Sequence, residues 1–115
     1  MKQVFELPIA LPGLNGSKGL IRQHWTSAKK MKDWLLQQVL EAELRCHEGQ
    51  VRITYTRVSK KRFDWDNMAS SLKHVLDSLV KAGVIKDDSP KFIPEQPKMF
   101  QEIGKPKTVI VIEDI

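Results

Sequence analysis

A chain of 115 residues, 41% hydrophobic and 29% charged, has the makeup of one globular domain, able to bury a core without disulfides or a structural metal. No run approaches the roughly 18 apolar residues that a membrane span requires, and no signal-peptide pattern precedes the first strand-like segment. The single cysteine, Cys46, excludes an internal disulfide and fits a reducing cytoplasm. Residues 1–63 carry 12 Lys and Arg against 5 Asp and Glu, whereas residues 64–115 carry 7 against 9; together these give the net charge of +5. A basic half joined to a half that holds clustered acids suits an enzyme of nucleic acids, with cations along the backbone and carboxylates at one phosphate.

In chain order, residues 2–9 read as a strand, with Val4, Phe5 and Leu7 as candidate core contacts. The turn-rich stretch 12–19 lacks the Gly-Lys-[Ser/Thr] order of a phosphate-binding P-loop. Its Lys18, together with Arg22, is placed to follow a nucleic-acid backbone. The spacing of Ala28, Met31, Leu35, Val39 and Ala42 predicts a helix over 27–46, capped by Thr26 or Ser27 and carrying Cys46 as a face thiol. Trp34 falls with its core residues. Lys29, Lys30 and Lys32 make its first turns basic, against the preference of the helix dipole, as a DNA-facing or a solvated surface would allow.

Val51 to Thr56 alternates as a half-buried strand. Arg57, Lys60, Lys61 and Arg62 then form a basic cluster that abuts Asp64-Trp65-Asp66-Asn67. A second helix is expected from about Asn67 to Ala82, with Asp66 as its cap, Gly83 as its stop, and Met68, Leu72, Val75, Leu76 and Leu79 as its apolar face. Trp65, between the two acids, is expected to anchor the segment in the interior. Residues 91–103 form a Pro-interrupted extended stretch with an edge strand, and 107–112, apolar on both faces, a central strand.

The acids carry the chemistry. Asp64 and Asp66 project where a strand ends and a helix N-terminus begins, a place that favours anions such as phosphate. Lys73 follows Asp66 by seven residues and so shares its face. Its plainer reading is an i,i+4 pair with Asp77. Oxygen ligands suit a hard cation, Mg²⁺ or Mn²⁺, that leaves room for a phosphate. For Asp88 to join them the chain must double back along a helix about 24 Å long, using six residues that reach at most roughly 20 Å. The alternative is that Asp88 serves a partner subunit. His24, His47 and His74 lack ligand spacing and read as surface or partly buried side chains; Glu113 and Asp114 read as a solvated terminus.

The order Lys60-Lys61-Arg62-Phe63-Asp64-Trp65-Asp66-Asn67, Lys73, Asp77, Ala82-Gly83-Val84-Ile85 and Asp87-Asp88 resembles the RusA family of Holliday-junction resolvases, endodeoxyribonucleases of bacteria and their phages. The likeness is strongest over residues 60–89. It implies an α+β fold with a mixed β-sheet packed with two main helices, one domain over 1–115, and a homodimer that nicks branched DNA with Mg²⁺. It further implies that Asp64, Asp66 and Asp88 hold the metal and that Lys73 is the essential lysine. Lys73 departs from the best-known pattern by following the second Asp by two helical turns rather than one, which leaves Lys61 or Arg62 as substitutes. Two other readings stand beside it: a nuclease for flaps, forks or RNA with the same site, and a noncatalytic basic DNA-binding module.

Overall fold

The computed structural model describes residues 1–12 and 28–115. The expectations for Lys18, Arg22, His24 and the cap at Thr26 or Ser27 lie outside the described residues. The elements are β1 (Lys2–Leu7), α1 (Ala28–Glu41), β2 (Val51–Ser59), α2 (Trp65–Lys81), β3 (Lys98–Ile103) and β4 (Lys107–Asp114). The strands form one mixed sheet in the order β1-β4-β2-β3. β4 runs antiparallel to both β1 and β2, while β3 lies parallel to β2 at the edge. The fold is therefore α+β, and β4 is central as its two apolar faces require. Neither described helix is long and apolar enough to cross a membrane.

One sheet face holds the core. Register places Phe5 beside Ile110, Ile110 beside Tyr55, and Tyr55 beside Met99. Strand alternation keeps Ile53, Ile112 and Leu7 on that same side, all buried. Met31, Leu35 and Val39 of α1 pack against it together with Met68, Leu72, Val75, Leu76 and Leu79 of α2. The Tyr55 hydroxyl pairs with Ser71 Oγ at 2.8 Å, which satisfies two polar groups at the seam between sheet and helix. Burial pushes that phenol up to about 12.

Four expectations are corrected here. Val4 is 51% exposed, because Phe5 and Leu7 take the covered face and alternation sends Val4 to the other. α1 stops at Glu41, so Cys46 lies beyond the helix and Ala42 is exposed. The cause is tertiary: Glu43 turns to a positive φ of 50°, and the chain then delivers His47 to a buried site. There the His47 N–H donates to the Val84 carbonyl at 2.8 Å. Gln3 Oε1 accepts from the Arg45 N–H, so its amide nitrogen faces His47 Nε2 as a donor; Nδ1 then donates to Asp114 Oδ1 at 2.6 Å. His47 is thus a structural tie with a fixed tautomer, and Asp114 a bonded partner rather than a solvated end. Finally, Trp65 is 58% exposed. It opens a helix, so the alternation of an extended segment does not govern it.

Candidate active site and nucleic-acid interface

α2 builds the site. Its N-cap is Asp64, not Asp66: Asp64 has extended backbone angles, and its Oδ1 accepts from the Asn67 N–H at 2.9 Å. The helix starts two residues earlier than its spacing suggested, which moves Asp66 into the first turn, where the dipole favours a carboxylate. At the other end the Gly83 N–H bonds the Val80 carbonyl and the Val84 N–H bonds the Leu79 carbonyl. This Schellman arrangement needs the left-handed φ of 78° that Gly83 supplies.

The chain leaving Gly83 buries Val84 and Ile85 and returns along α2. Asp88 thereby meets the helix at Lys73, whose Nζ donates to Asp88 Oδ2 and to Asp77 Oδ1, the latter at 3.1 Å. Both carboxylates, Asp88 foremost, push the Lys73 ammonium above its ordinary value. The doubling back is real, and it brings Asp88 to Lys73, a residue two helical turns, about 10 Å along the axis, from Asp66. Asp66, Lys73 and Asp77 share one helix face. Among the described residues no three His, Cys, Asp or Glu side chains gather closely enough to hold a metal ion.

The candidate ligands Asp64, Asp66 and Asp88 offer oxygen alone, as a hard cation prefers. Of the three only Asp88 meets Lys73, its companion there is Asp77, and the acids are not gathered around one ion.

Lys60, Lys61 and Arg62 are exposed and precede Phe63 and Asp64. Lys29 is exposed and pairs with Asp33 at 3.1 Å; Lys30 is exposed beside it. Arg57 is the exception among the candidate DNA contacts, being only 3% exposed. β2 runs on to Ser59, and its alternation turns Arg57 inward with Ile53 and Tyr55. Its guanidinium donates to the carbonyls of Leu11 and Lys61 and lies 3.4 Å over the Phe63 ring. Phe63 is itself clasped by Gln101, whose amide accepts from the Phe63 N–H at 2.7 Å and donates to its carbonyl at 2.9 Å. Arg57, Phe63 and Gln101 therefore fix the loop that presents the basic residues and Asp64. Arg57 lacked an acidic neighbour in sequence, and Gln101 lies 38 residues from Phe63, so neither role had a local signal.

His74 is also buried, and neither of its ring nitrogens has a partner among the described side chains. It lines a cavity of about 280 Å³ with Lys32, Asp77, Asp87 and Asp88. Burial, then the nearby Lys32 ammonium, push the imidazole below its ordinary 6.5. With the folded value depressed, the unfolded chain takes up the proton first. Stability is therefore expected to hold above that ordinary value and to fall as pH drops below it. Urea midpoints at pH 7.5 and 5.5 check this: His74→Leu should shrink the difference seen in the wild type, and an unchanged difference would exclude His74 as the cause.

A scan against models of known protein families and a search of curated proteins find no match to this chain.

Proposed function

We propose that this chain is a divalent-metal-dependent endonuclease of the RusA kind that resolves Holliday junctions as a homodimer. The observation that carries the reading is the return of the chain along α2. It sets Asp88, 22 residues after Asp66 in sequence, against the helix face that bears Asp66 and Lys73. A solvated surface has no need of that convergence, whereas phosphodiester chemistry needs carboxylates and a cation on one face. In this reading Asp64, Asp66 and Asp88 would hold Mg²⁺, with Mn²⁺ as a substitute, and the bound ion would supply Lewis acidity and a lowered pKa for a coordinated water.

The protein's own residues supply the rest. Lys73 offsets negative charge that grows on the phosphate as the bond breaks. Lys60, Lys61 and Arg62, held by the Arg57–Phe63–Gln101 clasp, follow the backbone on the approach to Asp64. Lys29 and Lys30, on the first turn of α1, extend the basic surface. A four-way junction has near two-fold symmetry, which a symmetric pair of subunits matches with one site for each of two opposing strands.

The cap made by Asp64 favours a second reading, noncatalytic DNA binding, because it gives that carboxylate a structural task. A panel of four-way, three-way, flap and linear duplexes, incubated with Mg²⁺ or with chelator, separates the two. Metal-dependent, paired nicks confined to the four-way substrate are expected. Binding without nicking on every substrate would exclude an enzyme, and preference for flaps would move the reading to another structure-selective nuclease.

A further inference from the structure

The apolar stripe of α2 runs on past the core. Trp65, Met68, Leu72, Val75 and Leu79 recur at helical spacing, and all but the first are buried. Trp65, the first residue of the helix, is left 58% exposed. Its indole has no hydrogen bond, ring contact or cation partner among the described residues. Its backbone is nevertheless held on both sides, by the Gln101 clasp on Phe63 and by the bond from Asp64 to the Asn67 N–H. Just before this fixed step come Lys60, Lys61 and Arg62, exposed and in no ion pair among the described residues.

We propose that Trp65 stacks on the open face of a base pair at a DNA branch point, and so supplies a shape preference that the cations alone cannot. The inference rests on the junction-binding half of the reading above and needs no metal ion. Lys60, Lys61 and Arg62 attract any phosphate backbone, branched or linear. Stacking discriminates, because inside a continuous duplex both faces of every base are already covered by neighbours. An indole reaches such a face only by forcing a step apart. At a branch point the last pair of an arm lacks one neighbour, and its face is free for a flat ring. Tryptophan suits the task, with a wide face and only two side-chain torsions to order. A second copy of this chain could also cover an exposed indole. The unpaired cations beside it favour a polyanion instead, since lysine is depleted where protein surfaces meet.

The test is equilibrium binding by the full chain, in chelator so that no cleavage intervenes, to a four-way junction and to a linear duplex. The proteins are the wild type, Trp65→Phe, Trp65→Leu and Trp65→Ala. The side chain is exposed, so all are expected to fold, and urea midpoints check this. Trp65→Ala should weaken junction binding about 5- to 150-fold, the span of one base–aromatic stack, and leave binding to the linear duplex unchanged. Trp65→Phe should keep most of the affinity. Trp65→Leu, apolar but without a flat ring, should lose as much as alanine. The slope of log affinity against log salt should stay the same in every variant, because no phosphate contact is removed. A 2-aminopurine at the branch point, whose emission stacking quenches, should be dimmer under saturating wild type than under Trp65→Leu.

Wild-type junction affinity in Trp65→Ala overturns the proposal. So does an equal loss on the linear duplex, or full affinity in Trp65→Leu, which would mark a plain apolar contact. A smaller particle in sedimentation of DNA-free Trp65→Ala assigns the ring to a contact between copies and overturns it as well. Wild type that binds no DNA sinks the stack and the junction reading together. Junction binding without nicking in Mg²⁺ sinks only the endonuclease, and binding indifferent to Trp65 sinks only the stack.

Discussion

On the proposed endonuclease reading, Asp64→Asn is expected to lower Mg²⁺-dependent nicking by about a hundredfold or more, because it would remove a metal carboxylate worth several kcal/mol at the transition state. The variant should keep its fold. Asparagine caps helices about as well as aspartate, so the bond to the Asn67 N–H survives the change. Asp64→Ala removes both functions and should cost on the order of 1 kcal/mol in stability as well. The pair thus splits the cap that Asp64 forms from the metal role that the proposed reading gives it. Junction affinity of Asp64→Asn should match or exceed that of the wild type, since one carboxylate no longer repels the phosphates. The measurements are nicking rate, chemical denaturation and binding to a four-way junction. Wild-type nicking by Asp64→Asn would remove Asp64 from the ligand set, whereas loss of stability alone would leave it as a cap.

Why the sequence reveals α2 more fully than the loop before it follows from the range of the forces involved. Met68, Leu72, Val75, Leu76 and Leu79 repeat at helical spacing, and all five are buried. Gly83 marks the stop because a left-handed residue is needed there. These are local signals, written within a turn or two of where they act. The identity of the cap was ambiguous for a local reason too: Asp64 and Asp66 are both good caps, and only the backbone angles at 64 decide between them. The exposed Val4 shows a different limit. Apolar strand residues on both sides of a sheet look alike, and only the packing of both helices onto the Phe5 face separates core from surface. His47 and Asp114 lie 67 residues apart, so their bond, which ties down the chain beyond α1, has no trace in any short window. The meeting of Lys73 with Asp88 was partly legible, since chain reach allowed it. Which helix residue the returning chain would meet was not, because it depends on how Val84 and Ile85 bury.

Arg57→Ala is expected to destabilise the fold by about 2–5 kcal/mol, through the loss of a buried side chain and of the donors for two carbonyls. That is a large share of the roughly 5–15 kcal/mol that holds a domain of this kind together. The guanidinium bonds the Leu11 carbonyl at 2.9 Å and the Lys61 carbonyl at 3.3 Å, and it covers the Phe63 ring. Burial pulls its pKa down. Arg57→Lys should recover little, because a point-like ammonium cannot both stack on Phe63 and span the two carbonyls. Lys60, Lys61 and Arg62 make the opposite prediction. Their single alanine variants should stay within about 0.5 kcal/mol of wild-type stability. Each that meets a phosphate should reduce the slope of log affinity against log salt by about 0.9. Denaturation midpoints and salt titrations of junction binding therefore sort four neighbouring cations into one that builds the loop and three that face outward. A stable Arg57→Ala with a reduced salt slope would reverse that assignment. If instead the fold weakens while Lys60→Ala, Lys61→Ala and Arg62→Ala lose only affinity, then the interior arginine is what aims the exposed ones: it ties their loop to β1's exit and to the ring that precedes Asp64.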